Sequence, residues 1–341
     1  MLKIAVDVMG GDHAPSAPVE GVIHALEEVN DLEVFLVGQK ELIEKELAGY
    51  EKKRIKTDRI TIIDAREMIG PDENPTYAVK KKQDASMVKC MDFVKHKEVD
   101  AMISAGNTGA FMAGGLIKVG RLPGIKRPAL APIFPTFDGR GTVVLDVGAT
   151  MDPKPEHLRD FGIMGSLYAE KVLGRKSPRI ALINVGEEPG KGNTLAKETY
   201  QMLEQAPINF IGNIEARDLL SGGIDVAVCD GFLGNVLLKF MEGMGKNMFH
   251  AMKEEFTADT RGKIGAIFLK PGLKKISNRF DYNEYGGAPF LGIDGVLIKS
   301  HGSSGSTAFK NAVIKQGYQF IKHEVLTSFA QEIKKGVITN E

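Results

Sequence analysis

Three loops in this 341-residue sequence carry the side chains that manage anions. Ser104-Ala-Gly-Asn-Thr-Gly109 combines bare backbone at Gly106 and Gly109 with short donors at Ser104, Asn107 and Thr108. Freed amides, hydroxyl donors and the positive end of a helix dipole together suit a phosphate. A helix cap needs one such residue, so phosphate binding is the favoured reading. The loop Asn184-Val-Gly-Glu-Glu-Pro-Gly-Lys-Gly-Asn193 sets Lys191 between two glycines, where its cation, with Asn193, completes a charge clamp on phosphate. It is not a Walker A loop, because Lys191 precedes Gly192 rather than Ser or Thr. His301-Gly-Ser-Ser-Gly305 sets an imidazole beside Ser303 and Ser304. The G-x-S-x-G elbow of a nucleophilic serine is missing, so this reads as an anion loop with a histidine donor. His301 stands equally as a catalytic donor, with the Gly302–Ser304 amides, or as a structural residue.

Two further loops join this set. Asp7-Val-Met-Gly-Gly-Asp-His-Ala-Pro15 has glycines for close backbone approach, and Asp12 either contacts substrate or caps the next helix. In Asp230-Gly-Phe-Leu-Gly-Asn235, Asp230 and Asn235 flank a glycine turn and would orient the reacting groups. No G-x-G-x-x-G occurs, which weakens a dinucleotide reading. Cys90 and Cys229 are too few for a disulfide framework or a four-ligand zinc site, and no metal or cofactor is expected.

These loops need rigid elements behind them. Apolar β-branched runs alternate with helical stretches along most of the chain, which predicts an α/β fold with a mostly parallel sheet covered on both faces. Ligands in such folds bind beyond the carboxyl ends of the strands, and the loops above follow strands. Single long helices are predicted over 75–96 and 307–334, and one large catalytic domain over 1–341 with an amphipathic insertion at 257–283. Lys and Arg number 44, as do Asp and Glu, so no pervasive positive field exists for nucleic acid. The start of the chain reads as a strand, and no apolar run approaches the roughly 20 residues of a membrane span. A cytoplasmic protein is expected.

From Arg261 to Arg279 the chain has basic but no acidic residues, interleaved with Ile264, Ile267, Phe268, Leu269 and Leu273. Pro271-Gly272 predicts two short amphipathic pieces joined by a bend. Two readings stand. The segment either buries its apolar residues on a partner subunit, or enters an anionic membrane surface reversibly while Lys270 and Lys274 meet head groups.

The ordered set of motifs resembles the bacterial phosphate acyltransferases of phospholipid synthesis. It comprises the loops above plus Leu145-Asp-Val-Gly-Ala149, Lys154-Pro-Glu-His157, Asn213-Ile-Glu-Ala-Arg-Asp218, Glu284-Tyr-Gly-Gly-Ala288 and Lys299-Ser-His-Gly-Ser-Ser304, spanning residues 2 to 320. The resemblance implies a homodimeric enzyme with a three-layer α/β/α sandwich akin to the isocitrate/isopropylmalate dehydrogenases. It also implies that acyl-[acyl-carrier protein] and inorganic phosphate become acyl phosphate and free carrier protein. The product would feed a membrane glycerol-3-phosphate acyltransferase at the inner face of the cell membrane. An acidic carrier protein calls for nearby positive charge, which Lys80, Lys81 and Lys82, or Arg121, Lys126 and Arg127, would supply; a solvated helix face explains the first group equally well. Rival readings are a coenzyme A thioester donor and a scaffold with little catalysis of its own.

Overall fold

Apolar runs form the strands, and the loops between them fall where the alternation predicts. The computed structural model describes residues 1–51 and 57–335. The first part of the chain runs β1 (Leu2–Asp7), α1 (Ser16–Glu28), β2 (Leu32–Gly38), α2 (Lys40–Glu51), β3 (Ile60–Asp64), α3 (Pro75–Lys81), α4 (Ser86–Lys95), β4 (Ala101–Ser104) and α5 (Thr108–Gly114). The middle runs β5 (Ala129–Leu130), β6 (Ile133–Phe134), β7 (Thr142–Leu145), α6 (Pro155–Lys171), β8 (Arg179–Asn184), α7 (Thr194–Glu204), β9 (Asn209–Glu215) and β10 (Val226–Val228). The remainder is α8 (Gly231–Thr257), α9 (Thr260–Arg279), β11 (Ala288–Leu291), β12 (Val296–Lys299), α10 (Ser306–Asn311), α11 (Gln319–Lys322) and α12 (Val325–Lys334).

The strands divide between two mostly parallel sheets. A seven-stranded sheet has the order β3-β2-β1-β4-β12-β11-β5, and a five-stranded sheet the order β6-β7-β10-β8-β9. Antiparallel pairing is confined to β11, β5 and β6. Along β1, Ile4 and Val6 pack on one face and Ala5 on the other, as the pleat requires. Each of the two buried clusters draws residues from both sheets, so the sheets share their cores. Tyr168 of α6 lies against Phe320 of α11, which ties the second sheet's helices to the end of the chain.

Three predicted helices take a different course. The helix expected over 75–96 stops at Lys81, because the 82–85 segment is drawn into a bridge between Glu67 and Ala85. Ser86 and Arg66 amides complete that crossing through Glu67 and the Asp84 carboxylate. The helix expected over 307–334 loosens into π turns at Ala312–Tyr318 and breaks at Glu324, which adopts φ 50°. There Gly317 brings the helix close to β1, since a Cβ would lie 3.1 Å from Ile4 Cδ1. The third difference is α9, which runs through Pro271 without breaking. None of its residues is buried, so water can satisfy the carbonyl that proline leaves without a donor. The bend instead follows α8, where Asp259 caps α9 by accepting the Gly262 amide at 2.6 Å. The insertion is therefore a helical hairpin made of the end of α8 and all of α9.

Candidate active site

Three parallel strands end side by side to make the floor of the site. Asp7 of β1 pairs in register with Ser104 of β4, and Ser104 with Lys299 of β12. All three are buried. Asp7 accepts the Ser86 hydroxyl at 2.6 Å and the Met9 amide at 3.1 Å on one oxygen, and the Ser104 hydroxyl at 2.6 Å on the other. Burial raises the Asp7 carboxyl above its ordinary range, against the pull of those donors and of Lys299. Burial likewise brings the Lys299 ammonium down to about 8; the Asp7 charge opposes the fall and Lys239 adds to it. Lys299 donates to its neighbour's carbonyl, Ser300 O. The floor thus carries one cation whose charge is expensive to keep there unless an anion arrives.

The loops after these strands meet backbone to backbone. A Cβ on Gly10 would lie 2.6 Å from the Gly106 amide nitrogen, and one on Gly11 (φ 98°) would lie 2.9 Å from Gly302 O. The Asp12 amide donates to Gly302 O at 2.7 Å. Above them opens a cavity of about 590 Å³, walled by these loops, by α8 and by the 283–288 segment. Its wall is partly apolar (Met9, Ile69, Leu130, Ile133, Leu238 and Met241), with polar groups concentrated at Lys299, His301, Glu242 and Asn235. That mix fits a ligand with one charged end and one apolar end.

His301 lies in this wall with both ring nitrogens engaged. Nδ1 accepts the Ser303 amide at 3.1 Å and lies 2.8 Å from the Ser303 hydroxyl, while Nε2 lies 3.6 Å from Glu242 Oε1. Glu242 Oε2 takes Lys239 Nζ at 2.8 Å. Burial lowers the imidazole's affinity for a second proton; Glu242 and Asp12 oppose this, and Lys239 and Lys299 reinforce it.

The structure brings Asp12, Gly106, Asn107, Thr108, Asn235, His301, Gly302 and Ser304 into one cavity wall. Other expected residues are placed differently. The Ser104 hydroxyl donates to Asp7 and accepts the Gly106 amide at 3.1 Å, which makes it part of the floor. Asn107 caps α5 through the Ala110 amide and donates to Gly70 O and Pro71 O, which uses its amide group on protein. Lys191 and Asn193 are outside the cavity wall. Both sit beyond β8 on the other sheet, where Asn193 caps α7 and exposed Lys191 lies 4.0 Å from Glu188. Asp230 caps α8 through the Leu233 amide, and so aims the helix that carries Asn235. Ser303 turns onto His301 instead of into the cavity. Lys82 is tied to Glu73 at 2.7 Å.

Sequence reasoning missed Lys299, Asp7, Glu242 and Asp146. Asp146 is the second sheet's counterpart of Asp7: it follows β7, is buried, and accepts the Leu130 and Thr150 amides at 2.8 and 2.5 Å. Burial raises it to about 6. The signal was available, since Asp7-Val and Asp146-Val each end an apolar run and lead into a glycine loop. Cys90 and Cys229 are buried, and burial pushes both thiols up, away from thiolate chemistry. Among the described residues, no group of three His, Cys, Asp or Glu side chains is arranged to hold a metal.

A phosphotransacetylase from Streptococcus pyogenes has a similar fold. That structure superposes with a TM-score of 0.60 at 18% identity, covering 94% of each chain, which establishes likeness of fold. Closer relationships come from sequence. A family described as fatty acid synthesis protein matches residues 2–328. The phosphate acyltransferase of Alkaliphilus oremlandii (strain OhILAs) is 49% identical over 336 residues, 98% of this chain and 97% of that one. That of Clostridium tetani (strain Massachusetts / E88) is 47% identical over 334 residues, 97% and 98% respectively. The chain belongs to this family of bacterial phosphate acyltransferases, and it is an acyltransferase enzyme.

Proposed function

We propose that the enzyme transfers an acyl group from acyl-[acyl-carrier protein] to inorganic phosphate, yielding acyl phosphate and free carrier protein for phospholipid synthesis. The observation that carries this reading is the buried Lys299 cation beneath a cavity that is otherwise partly apolar. Phosphate rests on the floor, against Lys299 and the backbone of Gly10, Gly11 and Gly106. Lys299 takes the part expected of Lys191. The thioester enters along the apolar wall, with its carbonyl toward His301. A phosphate oxygen attacks the carbonyl carbon, the oxyanion takes hydrogen bonds, and the C–S bond breaks. The proton of hydrogen phosphate ends on the departing sulfur, so the step balances with no external base. No acyl-enzyme is invoked, and no cofactor or metal enters the step.

The wider reading follows from the same surfaces. The whole chain acts as one catalytic unit, because the cavity draws on both sheets, and 257–283 is an insertion within it. Lys126, Arg127 and Lys154 all act on His157 at the start of α6, alongside the opposing Glu156, and that positive charge suits an acidic carrier protein. Along α9, Ile264, Ile267, Phe268 and Leu269 are exposed, Phe268 to 80%. Lys270 and Lys274 are also exposed and Leu273 is half-buried, which suits a reversible foot on an anionic membrane. A second copy of the chain covers the row Phe232, Val236, Phe240 and Met244 on α8, whose spacing of four makes a packing ridge. The enzyme works in the cytoplasm at the inner face of the membrane and passes its product to a membrane glycerol-3-phosphate acyltransferase. No helix among the described residues is long and apolar enough to cross a membrane.

The test is direct. Purified protein with acyl-[acyl-carrier protein] and phosphate should release carrier thiol and hydroxylamine-trappable acyl phosphate in equal amounts. Thiol release without acyl phosphate, or preference for a coenzyme A thioester in competition, would overturn the reading.

A further inference from the structure

The imidazole of His301 is held at Nδ1. The Ser303 backbone amide must be a donor, and it points at Nδ1 from 3.1 Å, with the Ser303 hydroxyl at 2.8 Å on the same atom. A nitrogen that accepts from an amide carries no proton of its own, so the neutral ring keeps its hydrogen on Nε2. Nε2 lies 3.6 Å from Glu242 Oε1, on the carboxylate that also receives Lys239. The Nε2–H is therefore oriented from β12 across the cavity toward α8.

We propose that Ser303 is a positioning residue that fixes His301 as the neutral Nε2–H tautomer, so that His301 acts as a hydrogen-bond donor to the thioester carbonyl and not as a proton-transfer group. The proposal rests on the acyl-transfer reading above and specifies how one side chain serves it. The charged groups facing the ring are Glu242 and Lys239 from α8, Lys299 from β12 and Asp12 from the loop after β1. No proton moves through the ring in this scheme. Its hydrogen bond to the carbonyl oxygen strengthens as that oxygen gains charge.

Two measurements decide it. In ¹⁵N-histidine spectra of the full chain at pH 7, His301 should show an unprotonated Nδ1 and a protonated Nε2. Ser303→Ala keeps the amide donor on Nδ1 and should leave the tautomer unchanged, whereas Ser303→Pro, which removes both donors, should mix the tautomers. Glutamine sets an amide N–H near the position of Nε2, whereas asparagine sets one near Nδ1. His301→Gln should therefore keep at least a tenth of the wild-type kcat, while His301→Asn and His301→Ala lose about 100-fold. An imidazolium or an Nδ1–H tautomer at pH 7 overturns the proposal, as does a glutamine variant as slow as the alanine variant. If wild-type protein forms no acyl phosphate, the acyl-transfer reading fails, and the spectra alone decide the role of Ser303.

Discussion

Lys299 and Asp7 stand at one level of the first sheet, each directly across from Ser104 on the strand between them. A cation and an acid, both buried, are thereby held a fixed two strands apart. Burial weakens the charge of each, and an anion bound over Lys299 would restore that of the lysine.

Lys299→Met should therefore impair phosphate use more than thioester use. Losing one charge-assisted contact costs about 1.5–3 kcal/mol, or roughly a 10- to 150-fold fall in kcat/KM for phosphate. Initial rates across a phosphate series, at saturating acyl donor, check it. An unchanged phosphate dependence in folded protein would remove Lys299 from the anion site.

The pH dependence has a definite sign. Lys299 falls to about 8 in the fold from 10.5, so the unfolded chain binds more protons between those values and stability rises with pH there. Phosphate binding runs the other way, because the cation is lost as pH climbs through about 8. We expect kcat/KM for phosphate to bend downward near pH 8 in wild type, and the bend to vanish in Lys299→Met. A pH–rate series on both proteins reads this out.

Ser104→Ala should act on stability. It takes the Oγ donor from a buried Asp7 oxygen, at a cost of about 1–3 kcal/mol in chemical denaturation. A selective rise in phosphate KM at unchanged stability would instead return Ser104 to the ligand.

Gly10→Ala should damage both properties. Its Cβ would stand 2.6 Å from the Gly106 nitrogen and 2.7 Å from Asp7 Oδ2, so backbone has to move. Overpacking of this kind costs about 1–3 kcal/mol. Thermal melting and phosphate KM should worsen together.

Replacing Ile267, Phe268 and Leu269 with polar residues should release the enzyme from anionic vesicles while leaving acyl phosphate synthesis in solution intact. The three are exposed and are not part of the cavity wall. Co-sedimentation equal to wild type would show that α9 is not the foot.

The parallel strands were legible because most are short apolar runs, and the chemistry-bearing loops because they follow such runs; β5 and β6, two residues each, and β11 gave too little pattern to read. What sequence could not tell was which loops face one cavity. Lys191 sits in the more conspicuous glycine loop, yet β8 lies toward the β9 edge of the second sheet, away from β6 and β7, and that place depends on pairing across the whole chain. Lys299 was hidden for the opposite reason: it ends the apolar run Val296-Leu-Ile-Lys299, where a lysine reads as a strand edge. Glu242 lay within an amphipathic helix, and only the fold turns that face toward His301. Pro271 misled because proline's cost depends on whether water can reach the freed carbonyl, which sequence does not state.

The order of strands has a mechanical consequence. The first sheet takes its strands from both ends of the chain, while the second is built from residues 133–228 between them. The molecule resembles a book whose covers are sewn through one spine, with α8 and α9 as the stretch of thread that carries the chain from the second cover back to the first. β12 is stitched between β4 and β11 by hydrogen bonds on both sides. A protease that nicks exposed α9 would leave β12, with Lys299 and His301, on a separate chain from β1 and β4, yet the strand would stay in its seam. The nicked protein should run as two pieces in denaturant and as one working body in buffer.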